Sequence, residues 1–441
     1  MPDPSEKRTS IVHRIYANLG LLLSGKAAAG VISLAYMAIA ARVLGPTDYG
    51  VLILIHTYTI TVGGIINFPG WHAVVRYGTH AVADEDVPRM LRLLRMTTIV
   101  ELAAGALAVV VAMLLAPLIG PRLGWSAEAQ NFAVPYSFAV LASVRSTPAG
   151  FMQLFRRFDL LGLHNAVAPL VRLIGAGIAA WAGFGLKGFL VAWLAAALAE
   201  WLVLWIMGLW VARRHLRPHP FIAPVAGVTA ENPGLWRFMI AANADVTFGE
   251  LAGRLAPLTV GWVLGPAATG LYAIAQRVTV IFTQPAQILG QAAYAELARL
   301  AAGRDRGRAV RQALVTCIGI AFASALPVMA ALFIFSKEAV VLIAGHGFEA
   351  AAGITLLLAA ARVILLAAPP ISAALVALGR PSASVAANLA TNLGLWPLLP
   401  VLMWHMGLAG AGVQAIIQSC AAMLLFTVFI WKATAPTETH A

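Results

Sequence analysis

The sequence predicts an all-α membrane protein of about twelve transmembrane helices, arranged as two pseudo-symmetric six-helix bundles around a central cavity. Three observations predict it. Of 441 residues, 61% are hydrophobic and 11% charged, and a mean hydropathy of +0.84 over that length belongs to no soluble domain. Apolar stretches of about 20 residues recur from end to end, punctuated by Gly, Pro and Arg, where barrel strands would alternate polar and apolar over shorter segments. One short Gly-Pro motif occurs twice, half a chain apart.

Taken in order, the spans fall near 14–42, 49–75, 93–116, 129–152, 161–183, 187–211, 236–264, 270–294, 310–334, 352–378, 383–404 and 407–431. Met1 to Ser10 is short and polar, and the apolar segment from Ile15 is too long for a signal-peptide core, so it reads as a retained first span. The connection from Arg213 to Pro233 is the longest and is rich in Pro, Arg and His. It divides the chain into an amino-terminal lobe (1–212, spans 1–6), a cytoplasmic linker (213–234) and a carboxyl-terminal lobe (235–441, spans 7–12). No connection has room for a folded extramembrane catalytic domain, so an enzyme of that kind is excluded.

Basic residues gather in alternate connections: Arg76, Arg89, Arg92 and Arg95; Arg156 and Arg157; Arg213, Arg214 and Arg217; Arg299, Arg304, Arg306, Arg308 and Arg311. The opposite connections hold only Arg42, Arg122, Lys187 and Lys337. By the positive-inside rule both termini face the cytoplasm. That distribution also accounts for the net charge of +12 without a nucleic-acid partner. Cys317 and Cys420 lie in separate spans, with neither metal-ligand spacing nor a disulfide pattern, and read as packing residues.

Val43-Leu44-Gly45-Pro46-Thr47-Asp48-Tyr49-Gly50 matches Val263-Leu264-Gly265-Pro266-Ala267-Ala268-Thr269-Gly270 at five positions, at an offset of 220. The same offset carries the Arg-rich loop at 76–95 onto that at 296–311, and Gly70 onto Gly290. An even number of spans per half makes the repeats parallel. Locally the motif is a helix-breaking hairpin device: Gly accepts a positive φ at a helix end, Pro cannot continue the helix, and the second Gly permits a close approach.

Basic residues inside spans are Lys26, Arg145, Arg172, Arg237, Arg254, Arg277 and Arg362, accompanied by Glu101, Glu200, Asp245 and Glu250. Each Arg, Lys or Asp at a helix centre costs about 2.5–3.5 kcal/mol against lipid, so these side chains face protein or a watered cavity, or snorkel where they lie near a span end. Asn243, Thr247, Glu250 and Arg254 make one polar stripe on span 7, while Arg277, Gln284 and Gln291, with Gln287 beside them, make another on span 8. The offset brings Gly25, beside Lys26, level with Asp245, so that a Lys26–Asp245 ion pair between the lobes is expected, and His56 level with Gln276, next to Arg277. Spans 1, 2, 7 and 8 are therefore expected to line one cavity. Two readings stand for several groups. Glu250 and Arg254 neutralise each other at i, i+4 or serve transport; Glu101 and Glu200 bond between helices or carry coupling protons; His56 packs or takes protons. Arg145, Arg172, Arg237 and Arg362 are expected near span ends, within snorkelling reach. Asn388, Asn392 and Trp396 on span 11 read as interhelical glue, with sugar contact as the lesser alternative. No nucleotide-loop, serine-hydrolase or zinc-protease motif is present.

Ala41-Arg42-Val43-Leu44-Gly45-Pro46-Thr47-Asp48-Tyr49-Gly50 resembles the polysaccharide-exporter branch of the multidrug/oligosaccharidyl-lipid/polysaccharide (MOP) flippase superfamily. So do Leu271-Tyr272-Ala273-Ile274-Ala275, Gly379-Arg380-Pro381 and Gly407-Leu408-Ala409-Gly410-Ala411-Gly412. The resemblance implies a flippase moving an undecaprenyl-pyrophosphate-linked oligosaccharide, the repeat unit of a polysaccharide or lipopolysaccharide, across the bacterial inner membrane by alternating access. Lys26, Arg254 and Arg277, with Asn243, Gln284 and Gln287, would bind that substrate, and Asp245, Glu250 or His56 would couple transport to H+ or Na+. No other cofactor is implied; membrane lipids and polysaccharide-assembly proteins are the expected partners. The two extra carboxyl-terminal helices typical of lipid II flippases are lacking. The alternatives are a cation-coupled drug or metabolite antiporter of the same superfamily and, from another class, a membrane glycosyltransferase, polymerase or ligase. The excess of basic residues disfavours the first and the lack of a large loop the second.

Overall fold

A computed structural model describes residues 4–68, 70–216, 225–301 and 306–434. The described chain is α1 (Pro4–Ile66), α2 (Trp71–Ala83), α3 (Val87–Ile119), α4 (Ala127–Tyr136), α5 (Ser146–Leu154), α6 (Phe158–His164), α7 (Val167–Trp181) and α8 (Gly185–His215), then α9 (Val228–Glu231), α10 (Leu235–Ala301), α11 (Arg306–Ala344), α12 (Ala351–Ile364), α13 (Ala368–Ala377), α14 (Pro381–Asn392), α15 (Leu398–Met406) and α16 (Leu408–Thr434). Short 3-10 turns join several of them.

Eight of these stretches are long and apolar enough to cross a membrane. Two of the eight pass through a kink and contain a span pair each. α1 breaks at Gly45 (φ 68°, ψ 177°) and α10 at Gly265 (φ 84°, ψ 178°), the first glycine of each Gly-Pro motif in the same backbone conformation. Such positive-φ extended backbone is open essentially to Gly alone. Spans 4 and 11 are broken into α4–α5 and α14–α15. With these the expected set of about twelve is complete.

Span 2 ends earlier than the sequence suggests. The apolar run continues towards residue 75, but Asn67 stops the helix: its Nδ2 donates to the Ser143 carbonyl (2.6 Å) and its Oδ1 accepts from the Phe68 amide (2.9 Å). The chain then re-enters as α2, which buries Ala73, Val74 and Tyr77 against α3 and α5.

The chain forms two compact units, Met1–Leu44 with Ile55–Thr247, and Gly45–Leu54 with Phe248–Ala441. The first has a core of α2, α3, α5 and α8 side chains, among them Leu93, Phe151, Met152 and Leu204. In the second, Leu297, Val310, Leu314, Ile371, Leu375 and Phe426 pack together. The outward faces are apolar as well: Val315, Phe333, Ile334 and Leu342 on α11 are at least 67% exposed. Such area is tolerated in lipid and not in water. Within the linker expected at 213–234, residues 217–224 lie outside the described residues. The part that follows is clamped onto the α2–α3 corner: Arg89 donates to Asn232 Oδ1 (3.0 Å), Arg92 to Glu231 (2.9 Å) and Tyr77 to the Pro233 carbonyl (3.2 Å).

The two Gly-Pro motifs meet inside the second unit. A Cβ on Gly50 would collide with the Pro266 carbonyl, and a Cβ on Gly270 with the Pro46 carbonyl. Glycine at both positions lets the backbones touch.

Candidate functional site

Each unit holds a polar cluster in its interior. In the first, α7 carries Arg172 against α1. Its Nη1 donates to the Tyr36 hydroxyl and its Nη2 to His56 Nε2, both at 3.3 Å, and the guanidinium lies 5.6 Å from the Trp193 ring centre. Because an arginine can only donate, His56 Nε2 must be the acceptor, which leaves the ring proton on Nδ1 to be donated to the Tyr136 hydroxyl (2.8 Å). His56 is thus held as a neutral tautomer. Arg172 does not snorkel as its place near a span end suggested; aromatic faces and a histidine hold it, and its Nε has no partner among the described residues.

Two carboxylates in this unit, one buried and one half-buried, have structural partners. Glu101, fully buried, accepts from the amides of Ser146 and Thr147 (2.8 Å to the latter), so its charge caps the amino terminus of α5. This cap and the acceptance of the Trp205 indole N–H by the Val144 carbonyl (2.8 Å) satisfy the backbone where span 4 is broken. Glu200 pairs with Arg145 at 2.7 Å, and this arginine stays exposed, as snorkelling from a span end requires. Arg237 is exposed, in keeping with it.

In the second unit, α10, α12, α14, α15 and α16 enclose a cavity of about 280 Å³. Arg362, at the end of α12, faces it together with Tyr272, Gln276, Asn392, Trp396 and Gln418. The amides are chained: Gln414 donates to Gln418 Oε1 (3.0 Å) and Gln418 to Asn392 Oδ1 (2.6 Å), while Gln276 donates to the Tyr272 hydroxyl (3.1 Å). The gap between α14 and α15 exposes Asn392 and Trp396 to this space, and irregular backbone at membrane depth is tolerated where it lines such a cavity. Arg362, expected to snorkel, lines the cavity; Asn392 joins α14 to α16 through Gln418, the interhelical glue expected of it, and lines the cavity together with Trp396.

Of the residues singled out for substrate and ion binding, Arg254 pairs with Glu250 one turn away on α10, and Asn243 accepts from the Thr247 hydroxyl (3.1 Å). Arg277 is half-buried and Gln287 exposed. The side chains of Lys26, Asp245 and Gln284 lie outside the described residues, and the expected Lys26–Asp245 pair with them. Sequence reasoning gave too little weight to Arg172 and Arg362. The available signal was a lone cation in an Ala-rich span and, for the cavity, Gln414 and Gln418 at i, i+4 in the otherwise apolar α16.

A polytopic helical chain whose polar groups turn inward within each unit is a multi-pass membrane protein. The chain belongs to the polysaccharide biosynthesis protein family, whose model matches residues 39–352. It is 27% identical over 290 residues to the inner membrane protein YghQ of Escherichia coli (strain K12), a stretch covering 65% of this chain and 81% of that protein. In fold it is similar to a multidrug resistance MATE family transporter of the MOP superfamily in an inward-facing conformation (TM-score 0.73, 15% identity, 94% of this chain and 96% of that one). The lipid II flippase MurJ in an inward closed conformation is also similar (TM-score 0.67, 11% identity, 94% and 90%). The family match thus sets the chain's family, and the two solved structures share its fold.

Proposed function

We propose that the protein flips an undecaprenyl-pyrophosphate-linked oligosaccharide, the repeat unit of a polysaccharide or lipopolysaccharide, across the bacterial inner membrane by alternating access. The observation that carries this reading is membership of a polysaccharide biosynthesis family by a chain built of membrane helices. For a chain of membrane helices, that family's carbohydrate chemistry supports transport of a lipid-linked intermediate. The positive-inside distribution of Arg and Lys puts both termini in the cytoplasm. Lys26 and Arg277, with Arg254 partly offset by Glu250, attract the pyrophosphate, while Asn243, Gln284 and Gln287 hydrogen-bond the sugars. Asp245, Glu250 or His56 couples the cycle to H+ or Na+. The drug-antiporter alternative is disfavoured because a cationic drug would need acidic groups, and the cavity in the second unit has an arginine and no carboxylate among its described lining.

The test is complementation of a repeat-unit flippase deletion. Restored surface polysaccharide, with loss of the lipid-linked intermediate that accumulates in the cytoplasmic leaflet, is expected. Wild-type polysaccharide export in a deletion of this gene, with no second transporter present, would refute the proposal.

A further inference from the structure

At the end of α5 the Arg156 amide donates to the Gln153 carbonyl (3.0 Å) and the Arg157 amide to that of Met152 (2.8 Å), the bonding that closes a helix through one left-handed residue. Glycine usually fills that place; here Arg156 does, at φ 55°. Glycine would make the same turn without the steric cost, so the turn alone does not account for an arginine. Its side chain is exposed and has no hydrogen bond or ion pair among the described residues.

The turn also carries Arg157 to the end of α8. Its guanidinium lies 5.2 Å from the centre of the Trp210 ring, and that of Arg214, one turn further along α8, lies 3.7 Å from the same centre. Arg157 is neutralised by Asp159, to which its Nε and Nη2 donate at 2.9 and 2.7 Å. Arg214 has no such acid: it is exposed, and no ion pair or side-chain hydrogen bond holds it among the described residues. Stacking on an indole occupies the face of a guanidinium and leaves its in-plane N–H groups free, the edge that takes a phosphate through two parallel bonds.

Away from these charges the surface is apolar. Leu202, Ile206, Trp210 and Arg214 stand at i, i+4, i+8 and i+12, one stripe along α8, with Leu202 51% and Ile206 57% exposed. From Leu202 to Trp210 is about 12 Å along the helix axis, close to the depth of one leaflet's hydrocarbon, about 15 Å. The positive-inside distribution puts this end of α8 at the cytoplasmic surface, where a tryptophan sits at the level of the head groups and the leaflet is anionic.

We infer that the α5–α6 turn and the end of α8 bind an anionic phospholipid of the cytoplasmic leaflet, its phosphate on Arg214 and Arg156 beside Trp210 and an acyl chain along Ile206 and Leu202. A soluble phosphate would meet the same arginines, but the apolar stripe that continues from them fits a lipid. The site is independent of what the protein transports.

The test is native mass spectrometry of the full-length protein in detergent, titrated with phosphatidylglycerol, phosphatidylcholine, a dihexanoyl phosphatidylglycerol and glycerol phosphate. One phosphatidylglycerol is expected to remain bound at a concentration at least about tenfold below that needed for phosphatidylcholine. The short-chain lipid should bind more weakly, and glycerol phosphate should not compete. The double variant Arg156→Gln, Arg214→Gln should lose the preference, and Arg214→Lys should retain part of it. Arg122→Gln, which removes an exposed charge on the opposite side of the membrane, should leave the preference unchanged. All three positions are exposed, and an unchanged thermal midpoint in lipid-free detergent checks that the variants fold. Equal binding of the two long-chain lipids by the wild type, a preference that survives the double variant, or one lost equally in Arg122→Gln would overturn the inference. Competition by glycerol phosphate, or equal binding of the short-chain lipid, would overturn the assignment to a membrane lipid.

Discussion

Alanine at Gly50 or Gly270 should destabilise the protein through one shared contact. A Cβ on Gly50 would stand 2.6 Å from the Pro266 carbonyl carbon and closer still to its oxygen, with the Gly270 amide nitrogen at 3.0 Å. A Cβ on Gly270 would meet the Pro46 carbonyl in the same way, with the Gly50 nitrogen at 3.3 Å. Each obstacle is backbone, so no rotamer change relieves it and the segments must part by about 1 Å. Overpacking of this kind costs about 1–3 kcal/mol. Since one separation accommodates both methyls, the double variant should cost less than the sum, with a coupling of at least about 0.5 kcal/mol. Gly319→Ala is the control: it lies in α11 with nothing within 4 Å of the added atom, and should be neutral or stabilising by about 0.5–1 kcal/mol. The assay is reversible denaturant unfolding of the purified protein in detergent. If Gly50→Ala and Gly270→Ala behave like Gly319→Ala, or if their costs simply add, the motifs are not in contact.

Glu101→Ala leaves the Ser146 and Thr147 amides unpaired in a buried place, at about 1–3 kcal/mol each; Glu101→Gln, which keeps one acceptor, should cost about half as much in the same unfolding assay, and a Gln variant that is fully stable yet inactive would instead mark Glu101 as a proton carrier. Lys337 near the end of α11 and His346 in the turn before α12, each 2.8 Å from the Glu349 carboxylate, hold its pKa below the usual range. A lowered folded pKa gives stability that is present above the unfolded carboxylate value of about 4.3 and lost as pH falls through the folded one. The thermal midpoint of the wild type should therefore drop more than that of Glu349→Gln on acidification below pH 4, with a small difference because the groups are exposed; parallel curves would show the pair contributes nothing.

The spans and their order were legible because a membrane helix is set by the length of an apolar run, which the sequence displays directly. The end of span 2 was not, since Asn67 stops the helix through Ser143, a partner 76 residues away. Glu101 and Glu200 were readable as interhelical bonds because a buried carboxylate must find donors somewhere. Arg172 and Arg362 were misjudged for the opposite reason: position along a span says how far a side chain is from the interface and nothing about which helix face it occupies. Pairwise spacing on span 11 singled out Asn392 and Trp396, but their cavity exists only because α14 and α15 are discontinuous and Ala256 is small.

The reciprocity between Gly50 with Pro266 and Gly270 with Pro46 has the form of an isologous contact, in which each partner offers the other the same patch. Two separate half-length chains, each carrying one Gly-Pro motif, would make this contact by dimerising. Once two copies share one chain, symmetry no longer constrains them to match. One copy carries Tyr36 against Arg172 while the other carries Ala256 beside a cavity, and a pocket becomes possible that no homodimer could hold on one side only.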